Sequence, residues 1–500
     1  MEEIPSIDRL SSEIIDLIFG QLFDGQQTDD LHQARLVSTL RNQHKLNDDG
    51  LAAWTAYDDL PIWGVDTELH DCRWNNLMDL QVVKHYAKRV IIETCPLNAH
   101  NFRSNYTTLR DLHWSAFLSD LNRIIEVDRL QAIEVHFCNS CIFGDLLNQR
   151  ANISTKGAGI LDASLNAIYK AIMQREERLL QDGMTGISPI RELKLKNFRT
   201  NHPPEALTKG LLKNIQRLHI RFLEGVDKIP QDFHRQVRIN FEHTLERALL
   251  VPVMDQLVEL TLFSQWDWGT FPSRFKGKGL VFPNLKTLRL SYFTIGHYDQ
   301  FDWILNQKTL TCLLLRGCAI ITHFVFLENR IHNWNVDTSD WKRIVSPYID
   351  ADKDYFTFDL KWKTLFDNIR EGLPKLTKFG LIMSLPEKDL FRNLCRPLTI
   401  GNRTDLSKSQ DYTDFGIDEA AAVKDETDWF MLQGYTAFDM SLWHWPLHHG
   451  AYGRSFYHNR DCFEGDWDYG DAAKAVDAAH AADVRALNAL IQATFERRGD

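Results

Sequence analysis

A short apolar pattern recurs along the middle of the chain and predicts a series of similar β-strands. Each copy reads apolar-x-x-apolar-x-apolar. The last three positions alternate as in a strand with one buried face, and the first lies in the turn that leads in. Val90-Ile91-Ile92 predicts a further strand ahead of them. The copies are Leu109-Leu112-Trp114, Leu130-Ile133-Val135, Ile190-Leu193-Leu195, Ile215-Leu218-Ile220, Leu257-Leu260-Leu262, Leu285-Leu288-Leu290, Leu310-Leu313-Leu315 and Leu376-Phe379-Leu381.

Helices predicted between these strands indicate a repeat architecture. Apolar residues recur at helical spacing in 160–180, 299–307 and 361–371. Strands and helices that alternate at an irregular spacing of roughly 25 to 65 residues predict an α/β, solenoid-like fold of degenerate leucine-rich-repeat-like units. The copy from Leu310 to Cys318 also fits the repeat form L-x-x-L-x-L-x-x-C. The alternative is that the copies are chance matches in a leucine-rich chain, which the interleaved helices disfavour.

The two ends of the chain do not follow this pattern. Residues 10–38 predict two amphipathic helices joined by a polar turn, a unit too small to close a core alone. The last hundred residues are first acidic and then aromatic, and they end in a helix that we expect to begin at Asp471 and to cap the repeats. The predicted organisation is a helical domain in 1–50, a linker and connecting helix in 51–90, the repeat domain in 91–400, and the acidic, aromatic and capping segment in 401–500.

The residue order in the N-terminal hairpin resembles the F-box, in the form common in large fungal families. Leu-x-x-Glu-Ile-Ile-x-x-Ile-(x)3-Leu begins at Leu10, and Asp-Leu-x-x-Ala-Arg-Leu-Val-Ser ends at Ser38. In that family the motif is a small all-α domain that docks on the Skp adaptor of a cullin-RING ubiquitin ligase. The resemblance implies that the adaptor contacts Leu10, Ile14, Ile18, Leu22, Leu31, Leu36 and Val37.

The resemblance implies the substrate-recognition subunit of an SCF-type ubiquitin ligase, with a Skp-type adaptor, through it a cullin, and a target protein as partners. Such a subunit acts in the ubiquitin conjugation pathway without being an enzyme. We expect the target to contact exposed residues at or beside outward strand positions, such as Lys194, His219, Arg289 and Arg316. The alternative is a protein-interaction scaffold whose F-box-like hairpin engages no ligase. It is favoured by Ser11, where the family usually has proline, and by 39–42, where an aromatic residue often stands.

Charge and composition restrict the partners and the compartment. The formal net charge of -11 argues against nucleic acid, because neutralising phosphates takes clustered lysine and arginine. The N-terminus shows no secretory signal and no apolar run is long enough to span a bilayer, so no membrane partner is expected. The 8 cysteines are scattered, which indicates reduced thiols in the cytoplasm, the nucleus or both.

Three groups of residues could in principle hold a metal or do redox chemistry. Cys138 and Cys141 have the spacing of half a zinc site, but no second pair follows closely. Asp466, Asp468 and Asp471 lack the register of a calcium loop. Packed aromatic loops are the favoured interpretation of the third group, His444, His448, His449, His458 and Cys462. No catalytic motif was found, so an enzyme with a C-terminal pocket is the least favoured hypothesis, and no cofactor or metal is expected.

Overall fold

The computed structural model has an α/β fold in which helices accompany a mostly parallel sheet. It describes residues 59–63, 78–79, 84, 87–93, 121–137, 156–181, 187–198, 205–222, 242–264, 268–270, 274–327, 330–345, 353–382, 435–439, 452–453 and 469–499. The N-terminal hairpin at 10–38, the first pattern copy at 109–114 and the Cys138–Cys141 pair lie outside these residues. The chain divides into two compact units, and the boundary at Lys194 falls within the predicted repeat domain.

The first unit contains parallel strands that follow one another in chain order. They are β1 (Asp59–Trp63), β2 (Arg89–Glu93) and β3 (Ala132–His136). Most of the long helix α1 (Lys156–Gln181) and the start of β4 (Glu192–Phe198) also belong to this unit. β1 lies in the stretch that we predicted as a linker. Its Pro61 disfavours a strand interior in general, but β1 stands at the end of the sheet order, where only one side of the strand carries ladder bonds.

The second unit contains a longer run of parallel strands, again in chain order. In order along the sheet, these strands are β5 (Arg217–Phe222), β6 (Glu259–Phe263), β7 (Thr287–Ser291), β9 (Cys312–Arg316) and β13 (Lys378–Ile382). In every described copy of the apolar pattern, all three defining residues are buried. The prediction of a strand whose apolar face is buried is therefore confirmed at each described copy.

The junctions into β3, β4, β6, β7, β9 and β13 use the same backbone hydrogen bonds. The carbonyl of Lys88 accepts from the N–H groups of Gln131 and Ala132, at 2.7 and 3.0 Å. Within each unit the arrangement recurs at the carbonyls of Gln131, Gln216, Val258, Lys286 and Thr311. Within each unit, successive strands are thus joined by peptide groups, and the leucine or isoleucine immediately before each pair of donors is buried.

A second sheet, which the sequence did not predict, is built from segments on both sides of the last repeat. Its strands are β8 (Thr294–Ile295), β10 (Ala319–Leu327), β11 (Lys342–Ile344), β12 (Lys353–Thr357), β14 (Tyr435–Asp439) and β15 (Tyr452–Gly453). β10 is central, antiparallel to β12 and parallel to β14. Trp341 covers this sheet by stacking on Phe324, with ring centres 3.7 Å apart. The predicted acidic and aromatic segment thus contributes strands as well as a helix.

The predicted helices are present with small shifts. Region 160–180 lies within α1, but Leu180 at its end is 85% exposed, so the predicted apolar face stops before it. Region 299–307 holds a 3-10 turn (Tyr298–Phe301) followed by α3 (Asp302–Leu305). The remaining short helices are the 3-10 turns Arg123–Glu126 and Val251–Val253, α2 (Glu205–Thr208), the π-helix Leu245–Leu250 and α4 (Arg330–Asn333).

The last two helices form a pair at the end of the second unit. Region 361–371 is α5 (Trp362–Gly372), and the C-terminal helix α6 (Tyr469–Arg498) begins two residues before the predicted Asp471. α6 packs on α5 and on β13, the end strand of this unit. This position fits the predicted cap. Among the described helices, none is long and apolar enough to cross a membrane.

Candidate binding face of the parallel sheet

Side chains that alternate with the buried leucines lie on the opposite face of the sheet, which we call the polar face. Strand register in the second unit arranges them in rows. The first row is Arg217, Glu259, Thr287, Cys312 and Lys378. The middle row is His219, Thr261, Arg289, Leu314 and Gly380. The last row, where each strand ends, is Arg221, Phe263, Ser291, Arg316 and Ile382.

Side chains of the first and middle rows bond to one another across strands. Arg289 Nη1 donates to Glu259 Oε1 of the neighbouring strand. His219 Nδ1 lies 2.9 Å from Thr261 Oγ1, also on the next strand. Because these partners are a single strand spacing apart, the side chains lie along the sheet. Arg289 is 3% exposed and His219 6% exposed.

The polar side chains of the first unit are paired in the same way. Lys194 Nζ lies 3.3 Å from a carboxylate oxygen of Glu192 and 4.0 Å from one of Glu134. Glu134 in turn holds His136 Nε2 at 2.6 Å. Lys194 is buried within this network, and Arg89 reaches Glu192 from β2 at 3.9 Å.

The structure therefore corrects the expected exposure of the predicted target-binding residues. All of them lie on the polar face, but Lys194, His219 and Arg289 are buried, and only Arg316 is partly exposed. The prediction equated an outward strand position with solvent exposure, whereas neighbouring strands supply ionic and hydrogen-bonding partners at these positions. Their role in target binding stays a prediction. The predicted adaptor-binding set, from Leu10 to Val37, lies outside the described residues.

The last row combines an aromatic ring with two half-buried arginines. The guanidinium carbon of Arg221 lies 5.2 Å from the ring centre of Phe263, and that of Arg316 lies 6.0 Å from it. Phe263 forms an apolar cluster with Cys312 and Leu314 on the same face. Burial, together with the nearby positive charge of Arg316, lowers the pKa of Arg221 to about 10. Arg221 therefore remains charged at neutral pH.

Sequence reasoning missed Arg221 and Phe263, although the repeat itself marks their positions. Each residue of the last row directly follows the final apolar residue of its pattern copy: Arg221 follows Ile220, and Phe263 follows Leu262. Once the copies are aligned, the last row can be read directly from the chain. What the alignment does not give is which members of a row lie close together, since this depends on how the strands pair.

A second group of charged residues lies beside the six-stranded sheet. His297 Nδ1 is 3.0 Å from Asp340 Oδ2, and the His297 ring stacks on Trp341. Burial and the positive charge of Arg274 lower the pKa of His297, although Asp340 opposes them. Arg274 itself bonds to Asp299 and Asp337. The charged side chains of this group pair with one another, as expected of a network that stabilises the fold.

Metal and redox candidates have no counterpart in the part of the chain that the structure describes. Within those ranges, no group of three or more His, Cys, Asp or Glu side chains could hold a metal ion. Cys318, at the end of the leucine-rich-repeat match, is buried with its sulfur 3.8 Å from the Leu290 carbonyl. The predicted histidine cluster from His444 to His458, together with Cys462, Asp466 and Asp468, lies outside the described residues.

Comparison with known proteins leaves the chain without an assigned family. No protein-family model matches it, and no curated protein matches it. The functional argument therefore rests on the chain's own residues, namely the hairpin at 10–38 and the polar face with its last row of Arg221, Phe263 and Arg316.

Proposed function

We propose that this protein is the target-binding subunit of an SCF-type cullin-RING ubiquitin ligase. The order of residues in 10–38, which resembles the F-box, supports the adaptor-binding half of this proposal. The regular junction between strands supports the other half: within each compact unit, the junctions into β3, β4, β6, β7, β9 and β13 use the same two backbone hydrogen bonds. Strands that add in chain order through one repeated joint form a solenoid with a continuous face, and such faces bind proteins.

The function needs no chemistry from this chain. A subunit that holds a target and an adaptor together raises the effective concentration of the target at the ubiquitin-loading machinery. The solenoid is suited to this because its polar face extends over several strands. α6, packed on the end strand β13, would cap this solenoid, as the sequence predicted.

The adaptor contact would be made by the apolar side chains of the hairpin. Full burial of one valine, leucine or isoleucine side chain contributes roughly 1.5–3 kcal/mol, so a few such residues offset the cost of association. The positions implied by the resemblance include Leu10 at the start of the first helix and Leu36 in the second. Their truncation removes methyl and methylene groups from both predicted helices.

Co-purification with the Skp adaptor tests the proposal. We expect the double variant Leu10→Ala/Leu36→Ala to lose the adaptor and the cullin, while the circular dichroism of the chain changes little. Leu180→Ala is the matched control, since Leu180 is 85% exposed on α1, and it should retain both partners. Equal recovery of the adaptor with the double variant and the control would refute the assignment.

The alternative, a scaffold that engages no ligase, is favoured by Ser11 and by the sequence at 39–42. In the same purification it predicts that the wild-type chain captures a target but neither adaptor nor cullin. Inhibiting the proteasome in the cells before they are lysed makes this comparison sharper, because a ligase target accumulates under those conditions. Recovery of adaptor, cullin and target together would exclude the scaffold.

A further inference from the structure

The outer edge of β13 carries backbone groups that pair with none of the described strands. β13 pairs with β9 on one side and stands last in the order of the parallel run, so its other side is an edge. The N–H of Lys378 donates to the carbonyl of Thr311, towards β9. Because backbone groups alternate between the two sides of a strand, the N–H and carbonyl groups of Phe379 and Leu381 point away from β9. Such an edge is a template for another strand.

The end of α6 closes this edge at the start of β13. In the junctions of the repeat, the residue after the first buried apolar residue accepts hydrogen bonds from the next strand through its carbonyl. Thr377 holds that position in the last described copy, and its carbonyl instead accepts a hydrogen bond from Arg498 Nε at 2.6 Å. The guanidinium carbon of Arg498 lies 4.8 Å from the ring centre of Phe495, which supports it. Arg498 thus takes the place of a next strand at Thr377, and the edge beyond it coincides with β13 itself.

β13 is complementary to itself in an antiparallel register centred on Gly380. In that register Phe379 of one copy lies opposite Leu381 of the other, and both direct their backbone groups at the facing strand. This pair and its symmetry mate each exchange both N–H···O=C bonds. At the centre the two copies of Gly380 lie opposite each other, and a glycine within a strand lets another backbone approach closely. Lys378 takes the position opposite Ile382, so this register brings no like charges together.

We propose that two copies of this chain pair through their β13 edges and form a two-fold symmetric dimer. The pairing joins the two parallel runs through one antiparallel contact at the dimer axis. A strand that pairs with its own copy makes a closed contact, which ends at the dimer and builds no fibre. A second copy is the partner because β13 itself supplies the complementary residue at every position of the register. The dimer needs neither adaptor nor target, so it can be tested independently of the proposed function.

Sedimentation velocity of the full chain over about 1 to 200 µM tests for the dimer, since so short an interface gives a weak complex. We expect the wild-type chain to shift from monomer to dimer within this range. Hydrogen exchange measured by mass spectrometry at both ends of the range locates the contact. The peptide that covers β13 should exchange at least roughly threefold more slowly at the high concentration, because the bound partner must dissociate first. The peptide that covers β7 is the internal control, since β7 has strands on both sides and should not change.

Opposite charges at one position test the register. Ile382→Glu places a carboxylate opposite Lys378 of the other copy, twice in the dimer, and should tighten it by roughly threefold or more. Ile382→Lys places an ammonium group there and should weaken the dimer by a similar factor. Lys378→Glu combined with Ile382→Glu brings two carboxylates together and should abolish the gain. Asn488→Glu adds the same charge at an exposed position of α6 and should leave the affinity within about twofold of wild type.

Several results would overturn the proposal. A wild-type chain that stays monomeric at about 200 µM would exclude a second copy as the partner and leave a strand of another protein as the occupant of the edge. Equal effects of Ile382→Glu and Ile382→Lys would refute the register, and so would a gain that survives in the double variant. A dimer without slower exchange at β13 would place the contact elsewhere. If circular dichroism shows that the variants do not fold, sedimentation and hydrogen exchange of the wild-type chain still decide.

Discussion

The contact between α5 and α6 gives the sharpest stability prediction, because α6 supplies a charged group to each end of α5. Asp483 is fully buried and its Oδ1 accepts from the backbone N–H of Lys363, in the first turn of α5, at 2.7 Å. Arg497 donates to the carbonyls of Arg370, Leu373 and Leu376 at the other end of α5, at 2.6 to 3.2 Å. The negative group stands at the helix N-terminus and the positive group at the C-terminus, as the helix dipole favours.

The expected loss of stability follows from the hydrogen bonds that each substitution removes and from the buried groups that it leaves without a partner. Asp483→Ala removes a capping hydrogen bond, which contributes about 0.5–2 kcal/mol, and leaves a buried N–H without this acceptor, which costs about 1–3 kcal/mol. We therefore expect a loss of roughly 2–4 kcal/mol at α5. Arg497→Met should cost about 1–3 kcal/mol, since carbonyls lose a charged donor. The two sites are about 21 Å apart along α6, at 1.5 Å per residue, so their effects should add.

Hydrogen exchange measured by mass spectrometry on the peptide that covers α5 reports this loss locally. A loss of 2–4 kcal/mol corresponds to exchange that is roughly 30- to 700-fold faster in Asp483→Ala. Asn488→Ala is the matched control, because Asn488 is exposed on the same helix. Exchange in Asp483→Ala that equals exchange in Asn488→Ala would refute the capping argument. So would a double variant, Asp483→Ala with Arg497→Met, no faster than either single one.

Two further predictions concern buried basic side chains. Arg175 donates to the carbonyls of Val127, Asp128 and Ser188. Arg175→Met should therefore destabilise β3 by at least ~3 kcal/mol, measured by hydrogen exchange. Lys170→Met is the control, because Lys170 is exposed on the same helix, and it should cause no such loss. Burial lowers the pKa of His323 to about 4. Because the pKa of His323 is lower in the folded chain, the unfolded chain binds the proton first as the pH falls. The stability supplied by neutral His323 is therefore complete above about pH 6.5 and is lost as the pH falls towards 4. The total loss is about 3 kcal/mol. The urea midpoint of His323→Leu should fall less over this window than that of wild type or of His332→Gln, an exposed control; equal slopes would contradict the assignment.

The apolar half of this fold was predictable, because it depends on residues close together in the chain. The alternation at Leu257, Leu260 and Leu262 defines a buried face without reference to any other strand, and all three are fully buried. α5 was predictable for the same reason, since its apolar period is local. β1 was missed because Pro61 is a strand breaker except at an edge, and a sequence does not show which strand forms the edge.

The burial and the partners of the polar side chains were not predictable from the local sequence pattern. Arg289 is buried beside Glu259, which lies diagonally across from it on the neighbouring strand and 30 residues earlier in the chain, and that pairing exists only once β6 and β7 are in register. The same holds for the last row, where Arg221 and Arg316 come together at Phe263 from separate repeats. A prediction that reads each strand alone treats all outward residues as equivalent. Strand pairing then sorts them into neutralised pairs and like-charged neighbours.

The repeated backbone junction explains how the repeat keeps its register through unequal insertions. Thr311 Oγ1 donates to the carbonyl of Lys286, 25 residues earlier, and Thr377 Oγ1 donates to the carbonyl of Thr311, 66 residues earlier. The accompanying backbone bonds are the same in both cases, although the longer interval contains several strands of the second sheet. A joint made from peptide groups and one buried leucine places no demand on the intervening length, because the cost of closing a longer loop grows only slowly. The outward side chains, among them those of Arg221 and Arg316, take no part in this joint. Such positions are where binding specificity can differ between proteins that share the repeat.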